Sequence, residues 1–221
     1  MDAESWATLP RELGHALGET GLMVGVATLA TAVLGLPIGV LLFVTERGLF
    51  LANRPLRLLV SFLTNVIRST PFVILLVLLL PLTQIIAGTT IGPLAASVPL
   101  SVAAVAFFAR LAEAALREVD PGMIEAALSA GATSRRLIID VLVWEALPGL
   151  VRAGTITLIS LIGLSAMAGI VGGGGVGDLA IRFGYYRYET PTMVATVVVL
   201  VVLVQLIQWF GDWLAKRLER H

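Results

Sequence analysis

The chain has 221 residues, 57% of them apolar and 14% charged, with a formal net charge of zero and a mean hydropathy of +0.95. That is more apolar surface than a core of this size can hide from water, so the bilayer is its solvent, and the lack of a basic block excludes nucleic acid as a partner. Cysteine is absent, which removes disulfides, thiolate metal sites and cysteine nucleophiles.

The apolar runs are continuous rather than alternating, which specifies helices rather than a barrel, because a helix closes its own backbone hydrogen bonds where lipid offers none. An all-α membrane protein of five transmembrane helices is therefore expected, as a single domain over residues 1–221. The first 20 residues carry Asp2, Glu4, Arg11, Glu12, His15 and Glu19 and lack a basic start followed by an apolar core, so they do not read as a signal peptide. Residues 20–45 hold no charge and form the first expected span. The stretch from Leu58 to Ala109 is interrupted by one charge, Arg68, and is too long for one crossing. Pro81, Gly88, Gly92, Pro93 and Pro99 mark where it folds back, giving spans at 58–86 and 94–116. A charged connection occupies 118–148, followed by spans at 151–172 and 190–213.

With five alternating spans, Arg47, Arg54, Arg57, Arg110, Arg117, Arg135, Arg136, Arg152, Lys216, Arg217 and Arg220 share one side, and only Arg11, Arg182 and Arg187 take the other. The positive-inside rule then places the 118–148 connection and the C-terminus in the cytoplasm and the N-terminus outside. Trp209 and Trp213 fit an interfacial belt or ordinary lipid-facing positions equally well.

The most informative segment runs from Asp120 to Thr133. Asp120 can cap a helix whose first residue is Pro121, and Gly131 can end it, leaving a cytoplasmic helix of about ten residues. Ile124, Ala127, Leu128 and Gly131 follow the i, i+3, i+4, i+7 spacing and give one apolar, small-residue face. A helix this short needs something to pack against.

Glu125-Ala126-Ala127, with Gly131 after three more residues, resembles the cytoplasmic loop signature of permease subunits of binding-protein-dependent, ATP-driven (ABC) importers. Arg68-Ser69-Thr70-Pro71-Phe72, Glu145-Ala146-Leu147-Pro148-Gly149-Leu150 and Ser165-Ala166-Met167 extend the resemblance over nearly the whole chain to the methionine-importer branch. The resemblance implies the type I ABC importer permease fold and a coupling helix bearing Glu125, Ala126, Ala127, Leu128, Gly131, Ala132 and Thr133. It implies a homodimer in the bacterial inner membrane, an ABC ATPase subunit dimer that holds ATP and Mg, and an extracytoplasmic binding protein that delivers D- or L-methionine. No cofactor, metal or catalytic residue is expected on this chain. One departure stands out: where the family pattern carries Ile-x-Leu-Pro, this chain has Val141-Leu142-Val143-Trp144, and Pro148 is the candidate for the helix break instead.

Gly172, Gly174 and Gly177 spell G-x-G-x-x-G, but no βαβ unit surrounds them and no P-loop lysine follows, so close packing or a flexible helix end is the expected role of 169–177. No Asp or Glu lies well inside an expected span, which argues against a proton-coupled carrier and against intramembrane catalysis. Arg68 is read as snorkelling or locally paired, or else as a gate or dimer contact. Ser165 and Met167 are candidates for the lining of a substrate path. Glu125 is left between a partner contact and local pairing with Arg135 or Arg136. The competing functions are an ABC permease for another small amino acid or peptide and a stand-alone secondary carrier.

Overall fold

The computed structural model describes residues 3–219, so Asp2, Arg220 and His221 lie outside the described residues. No strand occurs among the described residues. Seven of the ten prolines stand in the first two positions of a helical segment, where a missing N–H is best tolerated.

Helix α1 (Ala3–Ala30) widens into a π-helical turn at Thr31–Gly35 and continues as α2 (Leu36–Val44). Pro37 explains the widening, since it cannot donate to the carbonyl four residues back and its ring crowds that carbonyl. The expected start at residue 20 is thus too late. Charges at 12, 15 and 19 do not stop the helix, because Leu13, Ala16 and Leu17 pack with Val176 and Leu179 and Glu19 is itself satisfied by the Gly175 N–H.

The expected single span at 58–86 is broken. Helix α3 (Arg54–Ser69) meets α4 (Phe72–Leu78) at 110°, and α5 (Leu80–Ala87) follows a second break at Leu79. Pro71 drives Thr70 out of the helical region, whereas Leu80 before Pro81 stays helical and Pro81 contributes to the second break by lacking the N–H that would donate to the Val77 carbonyl. Helix α6 (Pro93–Arg117) agrees with the expected 94–116. The connection then holds α7 (Pro121–Ser129), α8 (Ser134–Arg136), a π-helical stretch Leu137–Leu142 and α9 (Val143–Glu145). Helix α10 (Leu147–Ala168), a π turn Gly169–Gly173, α11 (Gly175–Leu179), a π-helical stretch Ala180–Tyr186 and α12 (Thr190–Leu218) complete the described chain. Four stretches, Leu9–Val44, Pro93–Arg117, Leu147–Gly173 and Thr190–Leu218, are long and apolar enough to cross a bilayer, and the bent α3–α4 pair makes a fifth if it counts as one span.

The chain divides into two compact units. Unit 1 comprises Met1–Leu29, Thr70–Ala103 and Leu158–Ile207, and unit 2 comprises Ala30–Ser69, Ala104–Thr157 and Gln208–His221. In unit 1 the glycine segment is tightly built rather than flexible. A Cβ at Gly169 would lie 2.6 Å from the Asp178 amide nitrogen, and one at Gly177 would run into the Ala166 backbone. The Glu19 carboxylate accepts a hydrogen bond from the Gly175 N–H at 2.7 Å, and the Thr20 hydroxyl oxygen accepts one from the Val176 N–H at 3.0 Å. The glycine-rich loop therefore holds a carboxylate of its own chain. Gly177→Ala is expected to cost about 1–3 kcal/mol, read as a lower thermal unfolding midpoint of the purified protein; an unchanged midpoint would mean the segment can draw back from Ala166.

Unit 2 packs around Phe43, Phe108, Leu116, Leu137, Leu142 and Leu150. Small residues let its helices approach closely: a Cβ on Gly39 would stand 2.7 Å from that of Ala112. Unit 1 carries Arg11, Arg182 and Arg187, and all other described lysines and arginines belong to unit 2.

Candidate functional site

Helix α7 is formed locally as its sequence dictates. The Asp120 side chain accepts a hydrogen bond from the Gly122 N–H at 2.8 Å, and Pro121 supplies the pre-set first position. At the other end the Gly131 N–H donates to the Leu128 carbonyl at 2.9 Å and the Ala132 N–H donates to the Ala127 carbonyl at 3.0 Å, with Gly131 at φ +81°. These paired bonds around a left-handed glycine are the Schellman arrangement, so Gly131 and Ala132 act as the stop of the helix. Thr133 is extended and its carbonyl accepts from the Leu137 N–H at 2.9 Å, starting the next helical segment. Where the family pattern has proline, Trp144 continues the helix to Glu145; the break falls at Ala146, and Pro148 is the second residue of α10.

The expected apolar stripe on α7 divides between two surfaces. Ile124 is buried among Leu116, Val119, Leu137 and Leu142, and Ala127 packs against the same cluster, both within unit 2. Leu128 is 41% exposed and Met123 40%, and Glu125 and Ala126 are also exposed. The outward surface is thus Met123, Glu125, Ala126 and Leu128, because the connection's own core claims Ile124 and Ala127. Among the described residues Glu125 makes no ion pair, and Arg135 and Arg136 stand exposed without one.

Behind this helix in the chain lies a group that reading the sequence missed. Glu113, on α6, has a side chain only 5% exposed and is held by three guanidiniums: Arg110 at 2.7 Å, Arg117 at 2.7 Å and Arg57 at 3.4 Å. Glu46 meets Arg57 at 3.3 Å and Arg117 at 3.1 Å. A buried carboxylate is tolerable only with such partners, and here they draw together the end of α2, the start of α3 and the last turns of α6, three residues before Asp120. Glu113 lies three residues inside the end of the expected 94–116 span, so it is not an acid well inside a span, but its burial was not foreseen. The signal was available: Arg110, Glu113 and Arg117 are spaced i, i+3, i+7, which puts all three on one helix face.

The remaining candidates are scattered. Arg68 lies in the last turn of α3, just before the 110° break, with its guanidinium 6.0 Å from the centre of the Phe107 ring. A cation suits a helix C-terminus, and the aromatic face adds a second local partner. Ser165 is buried and its hydroxyl donates to the Ile162 carbonyl at 2.8 Å, whereas Met167 is 46% exposed. The two therefore do not share a surface, and the serine hydroxyl is engaged by its own helix.

Comparison with known proteins bears on the whole chain. Residues 35–220 match the profile of the family described as "Binding-protein-dependent transport system inner membrane component". The "Probable D-methionine transport system permease protein MetI" of Vibrio cholerae is 48% identical over 201 residues, 91% of this chain and 89% of that protein. The "Methionine import system permease protein MetP" of Bacillus subtilis is 42% identical over 181 residues, 81% of each. A chain of the inward-facing MetNI methionine ABC transporter superposes over 100% of both chains with a TM-score of 0.93 and 46% identity. A chain of an amino acid ABC transporter crystallised with histidines reaches a TM-score of 0.79 at 22% identity, which concerns the fold alone.

Proposed function

The chain belongs to the family of binding-protein-dependent transport system inner membrane components, and from that membership we propose that it is the membrane-spanning permease subunit of an ATP-driven methionine importer. The observation that carries the ligand is the full-length likeness to a solved methionine transporter chain. The permease has no ATPase site of its own. Two copies enclose the path, each engages an ABC ATPase subunit that binds ATP and Mg, and an extracytoplasmic binding protein delivers D- or L-methionine. ATP binding closes the ATPase pair and turns the permease pair from inward-facing to outward-facing; hydrolysis resets it. Only a difference in fit of the permease to the closed and open ATPase pair can couple the two events.

Helix α7 is the coupling helix in this reading, with Met123, Glu125, Ala126 and Leu128 toward the ATPase subunit and Ile124 and Ala127 toward the permease core. The Schellman stop at Gly131 and Ala132 and the extended Thr133 fix its length. Arg68, at the α3–α4 bend, is read as locally paired through its helix end and the Phe107 ring, with a gate or dimer contact as the alternative, and Met167 rather than Ser165 is the candidate for the path. The N-terminus lies outside and the C-terminus in the cytoplasm, a reading favoured by the concentration of basic residues in unit 2. The whole chain forms one permease domain, since every long pass contributes residues to both units.

A secondary carrier usually carries an unpaired acid at depth. Glu113, the buried acid among the described residues, is paired with three guanidiniums, which favours a structural role for it. Reconstitution decides between the two. ATP-dependent methionine uptake into proteoliposomes is expected only when the permease, the ATPase subunit and the binding protein are all present. Uptake by this chain alone would replace the importer with the carrier.

A further inference from the structure

Where α2 ends and α3 begins, unit 2 contains a cavity of about 170 Å³ lined by Thr45, Arg47, Arg54, Arg57, Leu58 and Ser61. Its wall is braced by the chain itself. The Asn53 N–H donates to the Thr45 carbonyl at 3.1 Å and closes the loop between the two helices, Gly48 takes the tight turn at φ +90°, and Asn53 Oδ1 accepts from the Leu56 N–H at 3.1 Å. Arg57 is committed to Glu46 and Glu113, and Arg110 reaches Ser61 Oγ at 3.4 Å behind the cavity. Arg47 and Arg54 have no carboxylate within ion-pair distance among the described residues. Five guanidiniums in this region face two carboxylates, so an uncompensated positive charge remains beside a pre-formed cavity.

We propose that this cavity is an anion site for a phosphate group, and that its occupant is the headgroup of an anionic phospholipid. Paired guanidinium forks match phosphate oxygens in geometry as well as charge. A cavity held open by its own loop loses little freedom when it is filled. The lipid source is favoured over a soluble phosphate because Leu51, Leu58, Leu59 and Phe62 stand exposed next to the arginines, an apolar surface along which acyl chains can lie while the phosphate meets Arg47 and Arg54. Bound there, the lipid would sit on the same short loop that carries Glu46, and so next to the Glu113 network leading into α7.

The test is native mass spectrometry of the complete permease–ATPase complex, equilibrated with dioleoylphosphatidylglycerol or dioleoylphosphatidylcholine and then with inorganic phosphate. Arg47→Gln combined with Arg54→Gln removes no ion pair of the described fold, so the variant complex is expected to assemble. Wild type is expected to retain phosphatidylglycerol over phosphatidylcholine, and the double variant to lose that retention by roughly ten- to thirty-fold, while Arg182→Gln combined with Arg187→Gln changes nothing. Displacement of the lipid by an equal amount of inorganic phosphate would keep the anion site but overturn its assignment to lipid. Equal retention of the two lipids, or retention unaffected by the double variant, overturns the proposal. Loss of the ATPase subunit from the double variant with lipid retention intact would assign the two arginines to that subunit instead.

Discussion

Glu113→Ala is expected to destabilise the protein by about 3–5 kcal/mol, the cost found when one partner of a buried ionic network is removed. The substitution removes more than one interaction. Arg57, Arg110 and Arg117 converge on this carboxylate, and without it three cations face one another with only Glu46 left to separate two of them. Glu46→Ala is the control, because Glu46 is one-third exposed and leaves Arg57 and Arg117 still bound to Glu113; its loss should cost about 1 kcal/mol or less. Denaturation of the purified permease by graded detergent unfolding, compared across wild type and the two variants, measures both. Similar small losses for the two variants would mean that water already screens Glu113 and that the network does not hold the α2, α3 and α6 ends together. The location makes the contrast functional as well as structural. Any force entering at α7 passes into Asp120 and then into the last turn of α6, where Arg117 and Glu113 stand.

Much of the fold could be read from the order of apolar runs and prolines. Four of the five expected spans have counterparts among the long apolar helices, and the α7 segment follows its capping residues closely, because Asp120, Pro121 and Gly131 act within their own backbone neighbourhood. What escaped is what depends on partners distant in sequence. The first helix begins well before residue 20 because Val176 and Leu179, more than 150 residues away, pack with Leu13, Ala16 and Leu17. The 58–86 stretch breaks because Pro71 acts on the residue before it and Pro81 withholds an N–H from the carbonyl four residues back, and of the two only Pro81 is among the fold-back markers in the sequence. Glu113 was passed over because charges near a span end are ordinarily exposed; its burial depends on Arg57, which comes from another helix. The α7 stripe was split for a similar reason, since its spacing shows an apolar face but not that Leu116, Leu137 and Leu142 would claim half of it.

That split determines how the coupling reading should be tested. A bulky residue at Ala127 would press on the core of unit 2, so failure of such a variant would say nothing about a partner. Glu125→Arg combined with Leu128→Asp alters only exposed positions and leaves Asp120, Ile124 and the Gly131 stop untouched. This pair is expected to insert and fold as wild type does, yet to lose about 2 kcal/mol or more of affinity for the ATPase subunit, the scale at which a buried interface contact counts as dominant. That loss corresponds to about thirty-fold weaker association, seen as loss of the ATPase subunit on co-purification and loss of methionine uptake that depends on ATP and the binding protein. Ile124→Ala gives the opposite pattern: a cavity in unit 2 costing about 2–5 kcal/mol of stability while the outward residues stay intact. If the outward pair co-purifies and couples normally while the inward variant fails, α7 serves the permease core alone and the ATPase subunit must dock elsewhere. If the outward pair alone uncouples, Met123, Glu125, Ala126 and Leu128 are the surface through which closure of the ATPase pair reaches the membrane helices.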